Sequence, residues 1–109
     1  MTDLETLTSE IIQFRDARDW EQFHNPKDLS LALSIEAAEL NELFLWKTSE
    51  QADPDKIKEE LADVFTYAIM LAHKYNFDIP TIIREKLQKS AAKYPVDKAK
   101  GKSTKYDQL

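Results

Sequence analysis

Four acidic residues occur as two pairs with helical spacing, and these pairs are the first candidates for chemistry in the chain. Glu36 and Glu39 form the first pair, and Glu60 and Asp63 form the second, after the intervening segment 40–59. Residues three apart lie on the same side of a helix. Each pair therefore places two carboxylates side by side wherever its segment is helical.

Both pairs lie on the apolar sides of their predicted helices, where carboxylates are unexpected. At about 100° per residue, Glu36 falls in the middle of a leucine stripe, and Glu39 lies at its edge. Glu60 borders the apolar face of the later helix and Asp63 continues along that side, whereas Glu59 points away. The stripe contains Leu29, Leu33, Leu40 and Leu43, and the apolar face of the later helix contains Ile57, Leu61, Val64, Ala68 and Leu71.

A divalent cation is the expected partner of these four carboxylates. Buried carboxylates are costly unless they are paired or bound to a metal, and four of them in one small volume cannot all stay ionised alone. A single pair of this kind usually belongs to a solvent-exposed helix face. Two pairs that both lie on apolar faces are harder to explain in that way. The chain has no cysteine, and hard oxygen ligands select Mg²⁺, with Mn²⁺ as a substitute.

A di-iron site is the alternative, and the ligand count excludes it. Di-iron bundles need a Glu-x-x-His motif on each of two helices. Glu21 and His24 form the only such match, and they lie in the connector between the first two predicted helices (residues 19–24) rather than in a helix. His73, on the third predicted helix, points away from Glu60.

Aromatic and polar side chains are candidates for binding a ligand. Trp20, Phe23 and Trp46 are either stacking partners for a flat ligand ring or core and interface residues. The exposed character of the connector that carries Trp20 and Phe23 favours binding.

Three more residues have a functional and a structural interpretation. His24 either contacts the ligand or braces the turn before the second helix. Tyr67, one turn after Asp63, is placed to donate a hydrogen bond to a phosphate or sugar oxygen. Lys86, on the fourth helix, either meets phosphate charge or is simply solvated.

Four predicted helices position these residues. They run from about Thr2 to Arg18, from Pro26 to about Lys47, from Pro54 to about Tyr75, and from near Asp78 to Tyr94. An N-cap residue marks each start, with proline at the first helical position of the second and third helices. The first helix is expected to bury Leu4, Leu7, Ile11 and Phe14.

The 109 residues predict one all-α domain, 1–94, followed by a basic tail, 95–109. The tail either frays in solvent or closes as a basic arm over a phosphate-bearing site. The second helix is apolar nearly all round, so we expect a four-helix bundle that is completed by self-association into a dimer or tetramer.

Composition excludes several classes of protein. A net charge of −5 is unlike a nucleic-acid-binding domain. No apolar run is long enough to span a membrane, and the N-terminal residues are too acidic and polar for a signal peptide. We expect a cytoplasmic protein with no nucleic-acid or membrane partner.

The motifs together resemble the MazG-like family of all-α nucleoside triphosphate pyrophosphohydrolases, and in particular its dCTP pyrophosphatase-like branch. The resemblance covers nearly the whole chain. It rests on Glu36-x-x-Glu39 with Glu60-x-x-Asp63, and on the segments 18–24 (Arg-Asp-Trp-Glu-Gln-Phe-His), 42–47 (Glu-Leu-Phe-Leu-Trp-Lys), 93–95 (Lys-Tyr-Pro) and 105–109 (Lys-Tyr-Asp-Gln-Leu).

The resemblance implies a reaction and a set of site residues. Family members cleave between the α and β phosphates to give a nucleoside monophosphate and pyrophosphate, and they assemble as dimers or tetramers. The positions that match their Mg²⁺ ligands are Glu36, Glu39, Glu60 and Asp63. The positions that match nucleotide contacts are Trp20, Glu21, Gln22, Phe23, His24, Trp46 and Tyr67.

Two positions depart from the branch. Ile11 stands where mammalian members carry a substrate-contacting histidine, and Ser90 stands where many members carry an asparagine. Neither departure affects a predicted metal ligand.

Two functions therefore compete. One is a Mg²⁺-dependent enzyme that hydrolyses deoxynucleoside triphosphates, dCTP or a related one, to cleanse the nucleotide pool. The other is a non-catalytic helical oligomer that binds a nucleotide or a protein, which explains the apolar second helix but not the inward acids.

Overall fold

The computed structural model describes residues 1–109 and contains helices and turns without any β-strand. The predicted all-α class is confirmed. The helices are α1 (Asp3–Ala17), α2 (Pro26–Glu42), α3 (Pro54–Lys74), α4 (Ile79–Lys93) and α5 (Val96–Ala99). Short 3₁₀ turns lie at Glu21–Phe23, Ser49–Gln51 and Tyr106–Gln108.

The chain divides into two compact units. The first, Met1–Asn76, holds α1, α2 and α3, and the second, Phe77–Leu109, holds α4, α5 and the last 3₁₀ turn. The domain boundary at residue 94 stays a prediction.

The predicted helix starts are confirmed because side chains cap them. Thr2 and Glu5 form a capping box, with the Glu5 N–H donating to Thr2 Oγ1 at 3.1 Å. Asn25 accepts from the Asp28 N–H at 2.8 Å, and Asp53 accepts from the Asp55 N–H at 3.0 Å. Each cap satisfies an N–H that the first helical turn leaves without a partner. These starts place the acidic pairs within α2 and α3.

The predicted end of α2 at Lys47 was wrong, since the helix stops at Glu42. Beyond it, the Phe44 and Leu45 N–H groups donate to carbonyls three residues back, so the chain tightens into turns. Trp46 has a φ of 62°, a left-handed conformation that ends any helical continuation.

The predicted inward face of α1 was also wrong in part. Leu7 and Phe14 are exposed, whereas Arg15 is buried. The shielded residues of α1 are Leu4, Thr8, Ser9, Ile11, Ile12 and Arg15, so the helix is rotated from the apolar stripe toward the Arg15 side. A guanidinium is thus the most buried group of α1.

α2 packs along α3 in the main contact of the first unit, and α1 also packs on α3. Leu29 is fully buried, and Leu33, Glu36 and Leu40 are half-buried on the same face of α2. Glu60 is half-buried whereas Glu59 is exposed, as the helical wheel predicts.

In the second unit, residues 95–109 are folded rather than frayed. The Tyr106 ring lies 6.0 Å from the Tyr94 ring, edge to face, and the Lys93 ammonium lies 4.6 Å from the Tyr106 ring centroid. A basic arm over a phosphate site stays a prediction.

None of the five helices has both the length and the apolar character required to span a membrane.

Candidate functional site

The contact between α2 and α3 brings three carboxyl groups into one cluster, which we call the acidic cluster. Glu36 comes from α2, and Glu60 and Asp63 come from adjacent turns of α3. Each of the three residues contributes one carboxylate oxygen, and these three oxygens all lie within 4.8 Å of one another. Glu36 and Glu60 are half-buried and Asp63 is exposed, so the cluster opens to solvent on the Asp63 side.

Two oxygens of the acidic cluster are buried and accept no hydrogen bond: Glu36 Oε2 and Glu60 Oε2. A buried acceptor without a partner carries the full cost of its lost hydration. A cation at this point would supply the missing partner to both oxygens. The donor set consists of carboxylate oxygens alone, which suits Mg²⁺ or Mn²⁺.

Burial and neighbouring negative charges raise the pKa values of carboxyl groups in the acidic cluster. Burial raises the pKa of Glu36 to about 7, helped by the side-chain hydrogen bond and negative charge of Glu39 and then by the charges of Asp63 and Glu60. Burial also raises the pKa of Glu60, again with a contribution from Glu39. Without a cation, the cluster therefore holds a proton at Glu36 near neutral pH.

Glu39 lies at the rim of the acidic cluster. It is exposed, one turn after Glu36, and it influences the pKa of both Glu36 and Glu60. Its carboxylate is outside the three whose oxygens all approach within 4.8 Å. The Glu39 carboxylate is therefore accessible both to water and to a ligand bound at the acidic cluster.

Tyr67 links the acidic cluster to the connector between α1 and α2. Burial raises the pKa of its hydroxyl, and the charges of Glu36 and Asp63 add to the effect. The centroid of its ring lies 6.4 Å from that of His24, edge to face. The end of the connector is therefore packed beside the predicted metal ligands.

The surroundings of His24 favour its neutral form. Burial lowers its pKa, and the positive charges of Arg15 and Lys74 lower it further. Its Nδ1 atom is buried without a hydrogen-bond partner. A neutral imidazole with an unused nitrogen can accept or donate one hydrogen bond to a ligand.

The aromatic residues of the connector are accessible. The Trp20 side chain is 44% exposed, and its ring lies 5.9 Å from that of Phe14. The Arg18 guanidinium stacks 3.6 Å from the Phe14 ring centroid. Phe23 is also exposed. Trp20 and Phe23 thus offer apolar surface beside α1 rather than filling the core.

Glu21 and Gln22 make contacts within the protein. The Gln22 amide donates to the Asp19 carbonyl at 2.9 Å and to its carboxylate at 3.0 Å. The Glu21 carboxylate lies 3.3 Å from Lys74 Nζ. Their predicted roles as nucleotide contacts stay predictions.

Two further predicted site residues belong to other segments of the chain. Trp46 is 93% exposed in the turns after α2, so its indole lies in solvent. Lys86 belongs to α4 in the second unit, beside the exposed apolar residues Ile82, Ile83 and Leu87. Their roles as substrate contacts also stay predictions.

The burial of Arg15 and its contacts with neighbouring side chains were not predicted from the sequence. The signal was present in the spacing of Leu4, Ile11 and Arg15, which repeat at helical intervals, but the larger side chain of Phe14 competed with it. The contact of Lys74 with Glu21 joins residues far apart in sequence and left no local signal.

Stability of the metal-free protein should depend on pH through Glu36. Because its pKa is raised from 4.5 to about 7 on folding, the folded state retains a proton that the unfolded chain releases, and stability falls as pH rises through this range. We expect Glu36→Gln to raise the Tm by about 4 °C at pH 8 and to change it little at pH 5. Thermal denaturation in a chelator measures both values.

Glu59→Gln is the matched control, since Glu59 is an exposed carboxylate next to Glu60 in sequence and is not a member of the acidic cluster. It should shift the Tm little at either pH. Equal effects of Glu36→Gln at pH 5 and pH 8 would contradict the raised pKa.

Comparisons with known proteins find similar sequences in mammals. The human protein dCTP pyrophosphatase 1 is 39% identical, over 89% of this chain and 62% of its own length. The mouse protein of the same name is 38% identical with the same coverage. The chain thus spans somewhat less than two thirds of these relatives.

A solved structure of a pyrophosphatase from Archaeoglobus fulgidus has a similar fold. The TM-score is 0.81 at 32% identity, and the match covers 87% of this chain and 94% of the archaeal one.

The family itself follows from the sequence match. A family model described as MazG-like matches residues 31–109, which include most of α2, all of α3 and all three members of the acidic cluster. The match extends over more than half of the chain, and the predicted resemblance is confirmed. The chain belongs to the MazG-like family.

Proposed function

We propose that the protein is a Mg²⁺-dependent nucleoside triphosphate pyrophosphohydrolase that acts on deoxynucleotides, with dCTP or a related nucleotide as substrate. The observation that carries the proposal is the acidic cluster of Glu36, Glu60 and Asp63 beside an accessible aromatic connector. Membership of the MazG-like family, and relatives named as dCTP pyrophosphatases, support the same reaction class.

The proposed metal ligands are Glu36, Glu60 and Asp63, with Glu39 at the rim. When bound, Mg²⁺ supplies charge neutralisation and binds phosphate oxygens, and Mn²⁺ can replace it. The protein's part is to hold hard oxygen donors on two packed helices, so that little reorganisation is needed when a triphosphate arrives.

The proposed reaction is hydrolysis at the α-phosphorus. The water oxygen bonds to the α-phosphorus, and the bond from this atom to the α–β bridging oxygen breaks. The bridging oxygen leaves with pyrophosphate, and the other product is the nucleoside monophosphate. Glu39 is the candidate to orient the water and accept its proton, because it is exposed at the rim of the acidic cluster.

The base is proposed to bind at the connector. Trp20 and Phe23 offer exposed aromatic surface for stacking, and His24, at the end of the same connector, packs on Tyr67. Trp46 and Lys86 are proposed as further contacts, to the base and the phosphates respectively.

We also propose that the protein is a homo-oligomer, a dimer or tetramer. Only five apolar residues of the chain are buried, whereas Leu31 and Ile35 on α2 and Phe65 on α3 are more than half exposed. Apolar side chains repeated on adjacent helices are typical of an interface. A second copy would complete the covering of α2.

The non-catalytic module remains the competing function, since it accounts equally well for the exposed apolar surface. It gives no reason for unpartnered carboxylate oxygens at the α2–α3 contact.

Pyrophosphate release from each of the four deoxynucleoside triphosphates, with and without Mg²⁺, tests the proposed reaction. We expect Mg²⁺-dependent release that is fastest with dCTP. Glu60→Gln should lower the rate at least about 100-fold, because it removes a metal ligand, while Glu59→Gln should stay within about twofold. Glu39→Gln should also lower the rate, because it removes the proposed proton acceptor.

No release from any nucleotide, or equal losses in Glu60→Gln and Glu59→Gln, would sink the enzymatic proposal in favour of a binding module. Undiminished turnover of Glu39→Gln would exclude Glu39 as the proton acceptor and leave the rest of the proposed reaction unchanged.

Sedimentation velocity tests the assembly. We expect wild type to sediment as a dimer or tetramer, and Ile35→Glu to shift it toward the monomer because a charge then faces the apolar contact. Lys58→Glu, an exposed change on α3, serves as the control. A monomeric wild type at micromolar concentration would rule out the proposed oligomer.

A further inference from the structure

The connector that carries Trp20 and His24 is attached to two helices by one carboxylate. Glu21 Oε1 lies 3.3 Å from Lys74 Nζ, at the end of α3, and Glu21 Oε2 lies 3.9 Å from Arg15 Nη2 on α1. Glu21 itself belongs to the 3₁₀ turn of the connector. One side chain therefore bridges the connector, α1 and α3.

The two cations of this bridge are shielded from solvent. The side chain of Arg15 is 7% exposed and that of Lys74 is 21% exposed, whereas Glu21 is 58% exposed. A buried guanidinium needs compensating charge. Asp16, at 2.8 Å from Arg15, supplies one partner from α1 itself, and Glu21 supplies the other from the connector.

Other contacts shape the connector without attaching it to α3. Asp19 has a φ of 55°, which reverses the chain after α1, and the Gln22 amide donates back to Asp19. The Trp20 N–H donates to the Arg15 carbonyl at 3.2 Å. The attachments to α3 are made by Glu21, through Lys74, and by His24, through Tyr67.

We infer that Glu21 is a positioning residue rather than a nucleotide contact: its carboxylate, held by Arg15 and Lys74, fixes the Trp20–His24 segment beside the acidic cluster. Its acceptor oxygens already face two cations within the protein. A carboxylate aimed at a triphosphate would repel it, whereas one neutralised by Arg15 and Lys74 does not.

The bridge also matters for the ring at the end of the connector. Arg15 and Lys74 lie close enough to His24 for their positive charges to lower its pKa, after the larger effect of burial. The two cations that hold Glu21 therefore also face the imidazole at the end of the connector.

The first experiment needs no nucleotide. The chain has two tryptophans, so Trp20 is the only one in a Trp46→Phe background, and acrylamide quenching of its fluorescence reports how firmly the connector is held. In that background we expect Glu21→Gln and Lys74→Met each to raise the quenching constant by about half or more. Lys74→Arg, which retains the cation, should leave it unchanged.

The double variant makes the test specific. If Glu21 and Lys74 act through each other, adding Lys74→Met to Glu21→Gln should raise quenching no further. Unchanged quenching in Glu21→Gln, or additive effects of the two substitutions, would overturn the inference. Circular dichroism confirms that each variant retains its helices.

The kinetic consequence rests on the proposed function. With Trp46 intact, Glu21→Gln and Lys74→Met should each raise KM about threefold to tenfold and leave kcat within about twofold, since the base-binding surface is displaced but the carboxylates are not. A KM that responds to Glu21→Gln but not to Lys74→Met would instead make Glu21 a direct nucleotide contact.

The two failures are distinguishable. An inactive wild type would overturn the proposed reaction while the quenching experiment still decides the role of Glu21. An active wild type with unchanged quenching in Glu21→Gln would overturn the positioning role alone.

Discussion

Three carboxyl groups meet at the contact between α2 and α3, with oxygens within 4.8 Å of one another. This contact is also the main packing interaction of the first unit, so the helices bring apolar faces together and like charges with them. Leu29 and its neighbours favour the contact through burial, while Glu36 and Glu60 oppose it through lost hydration and mutual repulsion. In the metal-free protein, protonation of Glu36 relieves part of that repulsion.

The remaining parts of the first unit are arranged around this contact. Tyr67 extends the side of α3 that carries Glu60 and Asp63, and His24 packs on Tyr67. The connector then runs past Glu21 to Trp20, so that an aromatic surface, an imidazole and a carboxylate cluster follow one another. This order matches the parts of a nucleotide, with the base at one end and the phosphates at the other.

Much of this arrangement is predictable because its causes are local. Asn25 and Asp53 cap helices through their own first turns, so their signals need no knowledge of the fold. The inward placement of Glu36 and Glu60 follows from the helical period, which a single sequence contains in full. The chemistry of the acidic cluster could therefore be predicted from residue spacing, and the family resemblance added the reaction.

The features that escaped prediction depend on distant partners or on weak local preferences. The rotation of α1 is set by what lies against it, and Arg15 is buried with partners that include Glu21 on the connector. The contact of Lys74 with Glu21 spans most of the first unit. α2 ends at Glu42 without glycine or proline, and the left-handed Trp46 lies in the turns beyond it.

Direct titration with Mn²⁺, followed by electron paramagnetic resonance, tests the central claim that the acidic cluster is a metal site. The account predicts that wild type and Glu59→Gln bind at least one Mn²⁺ per chain with the same affinity, that Mg²⁺ displaces it, and that Asp63→Asn weakens binding at least about tenfold. Equal binding by wild type and Asp63→Asn, or no binding by wild type, would contradict the account.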